Sequence, residues 1–160
     1  MADKDNKRIE FFSPQGIFLG SFSTEGEPAD IGIDPQRNLY VLMPKLKKIV
    51  KYSPDGKKLK SITCKINKRN YVSKATGITV DKRGDIYITE RYEHSVKKLD
   101  SSEIVLLSFG SKGKGRGQFN KPAGIAADVS GKVIITDMAN SRVQILAVTG
   151  SRKRPMIAVE

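Results

Sequence analysis

The sequence predicts an all-β protein assembled from repeated four-stranded antiparallel sheets, and two observations carry that expectation. First, Ile31-Gly32-Ile33-Asp34, Ile78-Thr79-Val80-Asp81 and Ile125-Ala126-Ala127-Asp128 repeat one pattern 47 residues apart. The echo continues through Leu39-Tyr40-Val41-Leu42, Ile86-Tyr87-Ile88-Thr89 and Val133-Ile134-Ile135-Thr136, and again at Ile49, Val96 and Val143. Second, short β-branched and aromatic runs are separated by Gly, Pro, Asp, Asn and Ser about every ten residues, which is strand and turn punctuation. A four-stranded unit recurring every 40 to 50 residues or so is the pattern of a propeller blade.

Taken in order, a partial blade over 8–23 holds strands near Arg8 to Phe12 and Ile17 to Phe22. Complete blades follow over 28–62 and 74–109, and a last one over 122–159, giving about three and a half blades in a single propeller segment spanning 1–160. In the blade at 74–109 the strands are Gly77 to Asp81, Asp85 to Thr89, Ser95 to Leu99 and Ile104 to Phe109. Their connections are too short for helical crossovers, so successive strands must pair antiparallel. Asp81-Lys82-Arg83-Gly84 and Asp128-Val129-Ser130-Gly131 place Asp first and Gly fourth, as a type I turn prefers. Ser13-Pro14-Gln15-Gly16 and Ser53-Pro54-Asp55-Gly56 use proline to preset the turn. In the last blade three strands end near Leu146, and Met156-Ile157-Ala158-Val159 supplies a fourth.

Composition narrows the function classes. The 160 residues are 38% hydrophobic and 29% charged, and no apolar run approaches the roughly 20 residues of a membrane span. The polar start, Met1-Ala2-Asp3-Lys4-Asp5-Asn6-Lys7-Arg8, lacks the apolar stretch of a secretory signal, and the single Cys64 can form no internal disulfide. A cytoplasmic, membrane-free protein is expected. One histidine, His94, and one cysteine fall short of a closed metal shell or a nucleophile with its base, so no metal, cofactor or catalytic residue is expected, and the chain reads as a non-enzyme. Asp34, Asp81 and Asp128 each begin a turn, which assigns them local hydrogen bonds rather than a ring of acids.

The stretch Gly117-Gln118-Phe119-Asn120-Lys121-Pro122-Ala123-Gly124-Ile125-Ala126-Ala127-Asp128, with Gly131-Lys132-Val133-Ile134-Ile135-Thr136-Asp137 and Asn140-Ser141-Arg142-Val143-Gln144-Ile145, resembles an NHL repeat. The resemblance extends over the other two complete units in weaker form. Met43-Pro44-Lys45 stands where the family favours Thr-Asp, and Glu90-Arg91-Tyr92-Glu93-His94 replaces the usual Asp and Asn; only the last unit keeps Asp137, Asn140 and Arg142 together, with Asp137 and Arg142 expected to form an ion pair. It implies a six-bladed toroid of about 280 residues, longer than this chain. Three forms are open: a fragment of a larger protein, an arc that dimerises, or a four-bladed closure. The fragment is preferred because the first strands fall in mid-blade. Exposed sheet edges would favour self-association. The NHL-like lyases that cleave hydroxyglycine peptides use metal-binding histidines, a set this sequence lacks.

Charge gives the functional expectation. The 29 Lys and Arg against 17 Asp and Glu leave +12, and the alternation of strands sorts them onto two faces. The face formed by loops between the second and third strands and between blades carries Lys45, Lys47, Lys48, Lys65, Lys68, Arg69, Arg91, Lys112, Lys114, Arg116, Lys121 and Arg142, against five acids. The opposite face is nearly balanced. Tyr71 and Tyr92 fall among the basic loops and can stack unpaired bases, while Phe119 either does the same or packs in its blade, as the resemblance implies. The expected ligand is single-stranded RNA, held by Lys112, Lys114 and Arg116 on a glycine-rich loop that lets a phosphate backbone approach. The alternative is an acidic protein partner. The resemblance includes the propellers at the C-termini of tripartite-motif ubiquitin ligases, which implies a protein-interaction or substrate-recruitment module.

Overall fold

The computed structural model describes residues 1–63, 65–66, 69–70, 72–100, 104–151 and 154–159. Its strands form four antiparallel sheets and one small hairpin. The first sheet joins β1 (Ala2–Asp3), β2 (Arg8–Phe12) and β3 (Phe18–Ser23). The second joins β4 (Asp30–Ile33), β5 (Leu39–Met43), β6 (Lys48–Tyr52) and β7 (Lys58–Ile62). A hairpin of β8 (Lys65–Ile66) and β9 (Arg69–Asn70) precedes the third sheet: β10 (Ala75–Val80), β11 (Ile86–Glu90), β12 (Ser95–Leu99) and β13 (Val105–Phe109). The fourth holds β14 (Pro122–Ala127), β15 (Lys132–Asp137), β16 (Arg142–Ser151) and β17 (Arg154–Val159).

Every sheet runs in sequence order, each strand pairing with the next, as short connections require. The chain is a β-propeller segment. Three details depart from the sequence expectation: the β8–β9 hairpin forms within the inter-blade loop, and two strands differ. Ala2–Asp3 adds a strand to the first sheet, with Ala2 opposite Ile9 and Asp3 opposite Arg8. β16 runs ten residues rather than ending near Leu146, because β17 pairs with it as far as Ser151 opposite Arg154.

The core lies between sheets, not within one. All five residues of β5 are buried because alternate side chains enter different interfaces. Leu39, Val41 and Met43 meet Ile9 and Val50 on the side of the first sheet, whereas Tyr40 and Leu42 meet Ile49, Ile78, Ile86 and Ile88 on the side of the third. The interface of the third and fourth sheets repeats the arrangement with Tyr87, Val96, Phe109, Phe119, Val133, Ile135 and Leu146. A blade therefore buries both faces only when it has a neighbour on each side.

Polar contacts stitch the innermost strands together. Ile78 N–H donates to Asp30 Oδ2 at 2.8 Å, Ala127 N–H to Thr79 Oγ1 at 3.2 Å, and Thr89 Oγ1 to the Ala123 carbonyl at 2.6 Å. Gly77 sits where any Cβ would come within 2.5 Å of that same carbonyl, so glycine is the residue that lets β10 and β14 approach. Burial raises the Asp30 carboxyl against the lowering effect of its backbone hydrogen bonds.

Candidate nucleic-acid interface

The loops on the basic face differ in how firmly they are held. The loop over 110–121, which enters the fourth sheet, is clamped from below by one buried carboxylate. Asp137, at the end of β15, is fully buried; its Oδ1 accepts the Asn120 amide at 2.6 Å and its Oδ2 accepts Asn140 Nδ2 and Arg142 Nε, both at 2.8 Å. Burial alone would raise this carboxyl, but the Asn120 amide, Asn140 and Arg142 outweigh it and hold it below its usual value. Ser141 bridges Asn140 and Arg142 in the left-handed region at φ 51, which turns both side chains toward Asp137.

Arg142 then spreads its guanidinium over the loop. Nη1 donates to the Lys114 carbonyl at 2.6 Å, and Nη2 to the Gly115 and Gln118 carbonyls, both at 2.8 Å. Asn140 Nδ2 donates to the Gly113 carbonyl at 2.8 Å; Gln144 donates to the Gln118 carbonyl at 2.7 Å and accepts the Gly117 amide at 3.0 Å. Phe119 is fully buried beneath the loop, and its amide donates to the Ser111 carbonyl at 2.8 Å. The glycine-rich stretch is thus a fixed turn whose carbonyls point inward. Its positive charges point outward: Lys112, Lys114, Arg116 and Lys121 are all exposed.

A second turn lies beside it. Arg91-Tyr92-Glu93-His94 is tied on when Lys121 N–H donates to His94 Nδ1 at 3.1 Å and Arg91 Nη2 approaches Met138 Sδ at 3.9 Å. Tyr92 stands 66% exposed in that turn, next to the Lys121 side of the loop.

The expected site residues therefore divide. Lys112, Lys114, Arg116, Lys121 and Tyr92 gather on adjoining segments. Lys45 and Lys48 belong to another part of the rim and are engaged by acids, Lys45 with Glu27 at 2.6 Å and Lys48 with Glu25 at 2.8 Å. Lys47 is exposed between them. Arg142 holds its own protein's loop, and Arg91 reaches Met138 Sδ at 3.9 Å. Lys68 and Tyr71 lie outside the described residues, as do the side chains of Lys65 and Arg69. Phe119 packs rather than stacks.

On the opposite face Asp34, Asp81 and Asp128 hold turns. Their carboxylates accept the amides of Asn38 at 2.8 Å, Asp85 at 3.0 Å and Lys132 at 2.9 Å. What the residue pattern did not disclose was the reach of the Asp137 clamp; Asp, Asn, Arg and Gln at 137, 140, 142 and 144 carry the signal.

Residues 119–146 match the NHL repeat. The chain carries an NHL repeat. These are the residues that supply Phe119, Asp137, Asn140, Arg142 and Gln144 to the clamp. The E3 ubiquitin-protein ligase TRIM71 of Rattus norvegicus is 40% identical over 48 residues, which are 30% of this chain and 6% of that protein. Protein SUPPRESSOR OF QUENCHING 1, chloroplastic, of Arabidopsis thaliana is 29% identical over 92 residues, 52% of this chain and 9% of that protein. Among solved structures a streptogramin B lyase superposes with a TM-score of 0.67 at 16% identity, covering 98% of this chain and 48% of that one. The chain thus spans about half of that solved chain, and its matched stretches are under a tenth of both curated relatives. It resembles the NHL domains of tripartite-motif proteins in its repeat, and the lyase in fold.

Proposed function

We propose that this NHL-type segment is a non-enzymatic binding module whose clamped loop and neighbouring turn take single-stranded RNA. The carrying observation is the exposed set Lys112, Lys114, Arg116 and Lys121 on a loop fixed by Arg142 and Asp137, with Tyr92 exposed beside it. Each phosphate neutralised on a single strand contributes about 0.7 to the slope of log affinity against log salt, so the four loop cations should supply a slope of about 3. A base stacked on Tyr92 would add roughly 1 to 3 kcal/mol without selecting sequence. A rigid loop has little order left to lose on binding, which favours it over a mobile basic tail.

The test is titration of a mixed single-stranded RNA pool at low and physiological salt. Affinity should fall steeply with salt, and the triple reversal Lys112→Glu, Lys114→Glu, Arg116→Glu should abolish binding. Absence of binding at low salt, or full binding by the reversal, overturns the reading.

A protein-interaction or substrate-recruitment role is the second reading. It is favoured by the likeness to TRIM71 and by the exposed apolar residues Val143 and Ile145 on the outward face of the fourth sheet. A partner held there would be insensitive to the loop reversal and sensitive to Val143→Glu.

A further inference from the structure

On the face opposite the basic loops, a cavity of about 480 Å³ lies at the junction of the third and fourth sheets. Lys82 and Arg83, in the turn between β10 and β11, line it from the third sheet, and Ser130, Gly131 and Lys132, in and after the turn between β14 and β15, line it from the fourth. Ala147 and Val148 of β16 add an apolar wall, with Ala147 opposite Lys132 in the sheet. A space of that size suits a small organic ligand.

Three cations from two sheets thus border one cavity, and the carboxylates of the same turns are engaged elsewhere. Asp85 accepts Lys98 Nζ at 2.7 Å, Asp81 accepts the amides of Arg83 and Asp85 at 2.8 and 3.0 Å, and Asp128 accepts the Ser130 hydroxyl and the Lys132 amide at 2.7 and 2.9 Å. Arg83 Nη2 approaches Asp81 and Asp85 only at 3.5 and 3.8 Å, and its side chain is half exposed. Lys82 is exposed and has no polar partner among the described residues. Gly131, at φ 91, has nothing within 4 Å of where a Cβ would stand, so the backbone leaves the cavity open there.

The repeat marks this junction as a departure rather than a by-product of the fold. One 47-residue step back, at the junction of the second and third sheets, Lys82 and Arg83 correspond to Pro35 and Gln36, Lys132 to Asp85, and Ala147 to Asp100. Two acids stand there where a cation and a methyl group stand here.

We propose that this cavity binds a small organic phosphate monoester, with its head between Lys82, Arg83 and Lys132 and its carbon stem against Ala147 and Val148. A phosphate is favoured over a carboxylate because it carries more charge and a third terminal oxygen for cations that converge from two sheets, and the arginine fork matches two of those oxygens at once. Ser130 and Gly131 shape the site without donating, since the Ser130 hydroxyl and the Gly131 amide are both spent on Asp128. The site is independent of the loop at 110–121.

The probe is n-butyl phosphate, titrated into the full 160-residue chain above the second phosphate pKa of about 6 and read by amide nuclear magnetic resonance. Signals of Arg83, Gly131 and Lys132 should shift saturably while those of Gly113, Gln118 and Phe119 stay in place. Inorganic phosphate, which lacks the stem, and butyrate, which lacks the second charge, should each bind about threefold or more weakly. Lys82→Ala and Arg83→Ala, both at exposed turn positions, should each weaken binding about threefold to tenfold. Lys132→Asp combined with Ala147→Asp, which installs the acids of the preceding junction, should abolish it while the circular dichroism melt stays cooperative. The reversal of Lys112, Lys114 and Arg116 to Glu should leave it unchanged, so failure here and failure of the RNA reading are distinguishable. No saturable shift, shifts centred on the 110–121 loop, equal binding of butyrate, or affinity unchanged in both Lys82→Ala and Arg83→Ala overturns the proposal.

Discussion

Replacing Arg142 by alanine removes four hydrogen bonds at once: one to the Asp137 carboxylate and three to the carbonyls of Lys114, Gly115 and Gln118. Asp137 stays behind, fully buried, with its charge answered only by Asn120, Asn140 and a longer contact from Gln144 at 3.4 Å. Removing one partner of a buried ion pair costs roughly 3 to 5 kcal/mol. The Arg142 side chain is 30% exposed, so water can partly replace it, and the low end of about 3 kcal/mol applies. For a domain of this size that lowers Tm by about 6 to 12 °C. Urea unfolding measures the free energy, and amide exchange at Gly113, Gln118 and Phe119 reports the loop. Exchange should quicken there far more than in β5. Lys112→Ala, on the same loop but outside the clamp, should stay within about 0.5 kcal/mol of the parent. A loss below about 1 kcal/mol with unchanged loop exchange would refute the assignment of Arg142 as the residue that fixes this loop.

Other perturbations probe the joints between blades. Gly77→Ala drives a Cβ to within 2.5 Å of the Ala123 carbonyl and should cost about 1 to 3 kcal/mol in urea unfolding. Phe119→Ala empties the centre of the interface between the third and fourth sheets and should cost about 3 to 5 kcal/mol, seen as a lowered denaturation midpoint. Asp137 binds its proton less readily folded than unfolded, so its stabilisation is complete above the ordinary carboxylate pKa near 4 and is lost as pH falls through the lower folded value. The urea midpoint should therefore decline below about pH 4, and less steeply in Asp137→Asn, whose midpoint is already lower at pH 7. Asp30 behaves oppositely: burial raises its pKa, so its contribution is present at low pH and lost as pH rises. Asp30→Asn keeps an acceptor for the Ile78 amide and should match or exceed the parent's stability at pH 7, checked by the same unfolding curves.

The strands were legible because each residue's environment is set by its place in the repeat. Near-continuous apolar runs along β5 and β11 match elements buried on both faces, and the type I turns at Asp81 and Asp128 close with their i to i+3 hydrogen bonds, Gly84 N–H to the Asp81 carbonyl at 2.9 Å and Gly131 N–H to the Asp128 carbonyl at 3.1 Å. Charge was less legible. A count treats every lysine on a face alike, but Glu25 and Glu27 reach Lys48 and Lys45 through loop paths that sequence position does not reveal. The reach of Arg142 was hidden for the same reason, since its spacing marked its partner Asp137 but not the three carbonyls of a loop more than twenty residues upstream. Asp3, Asn6 and Arg8, which repeat the hydrogen bonds of Asp137, Asn140 and Arg142 in the first sheet, escaped through phase. Met43 and Glu90, which occupy the Asp137 position in the second and third sheets, keep the 47-residue step, while Asp3 precedes Met43 by only 40. The link from β3 to β4 covers residues 24–29, against 110–121 between β13 and β14, and this shortening puts the first sheet out of step.

The position that carries Asp137 decides what each inter-blade loop can do. In the second sheet it is Met43, which is apolar and joins the core, so no carboxylate is there to gather loop amides. In the third it is Glu90, whose carboxylate lies 3.4 Å from Lys97. In the fourth, Asp137 takes the Asn120 amide and holds Asn140 and Arg142, whose side chains bind the loop's carbonyls, leaving the lysines of the loop turned outward. A rim of nominally uniform charge is thereby divided. One sector is neutralised by its own glutamates, and another presents its cations from a fixed turn. Among the described residues, a fixed loop and a group of outward lysines coincide at 110–121, because the residue that fixes that loop is itself an arginine whose charge is satisfied inside the fold. Among the described residues, the outward lysines of that loop owe their fixed position to Asp137, Asn140, Arg142 and Gln144, all within the stretch that matches the NHL repeat.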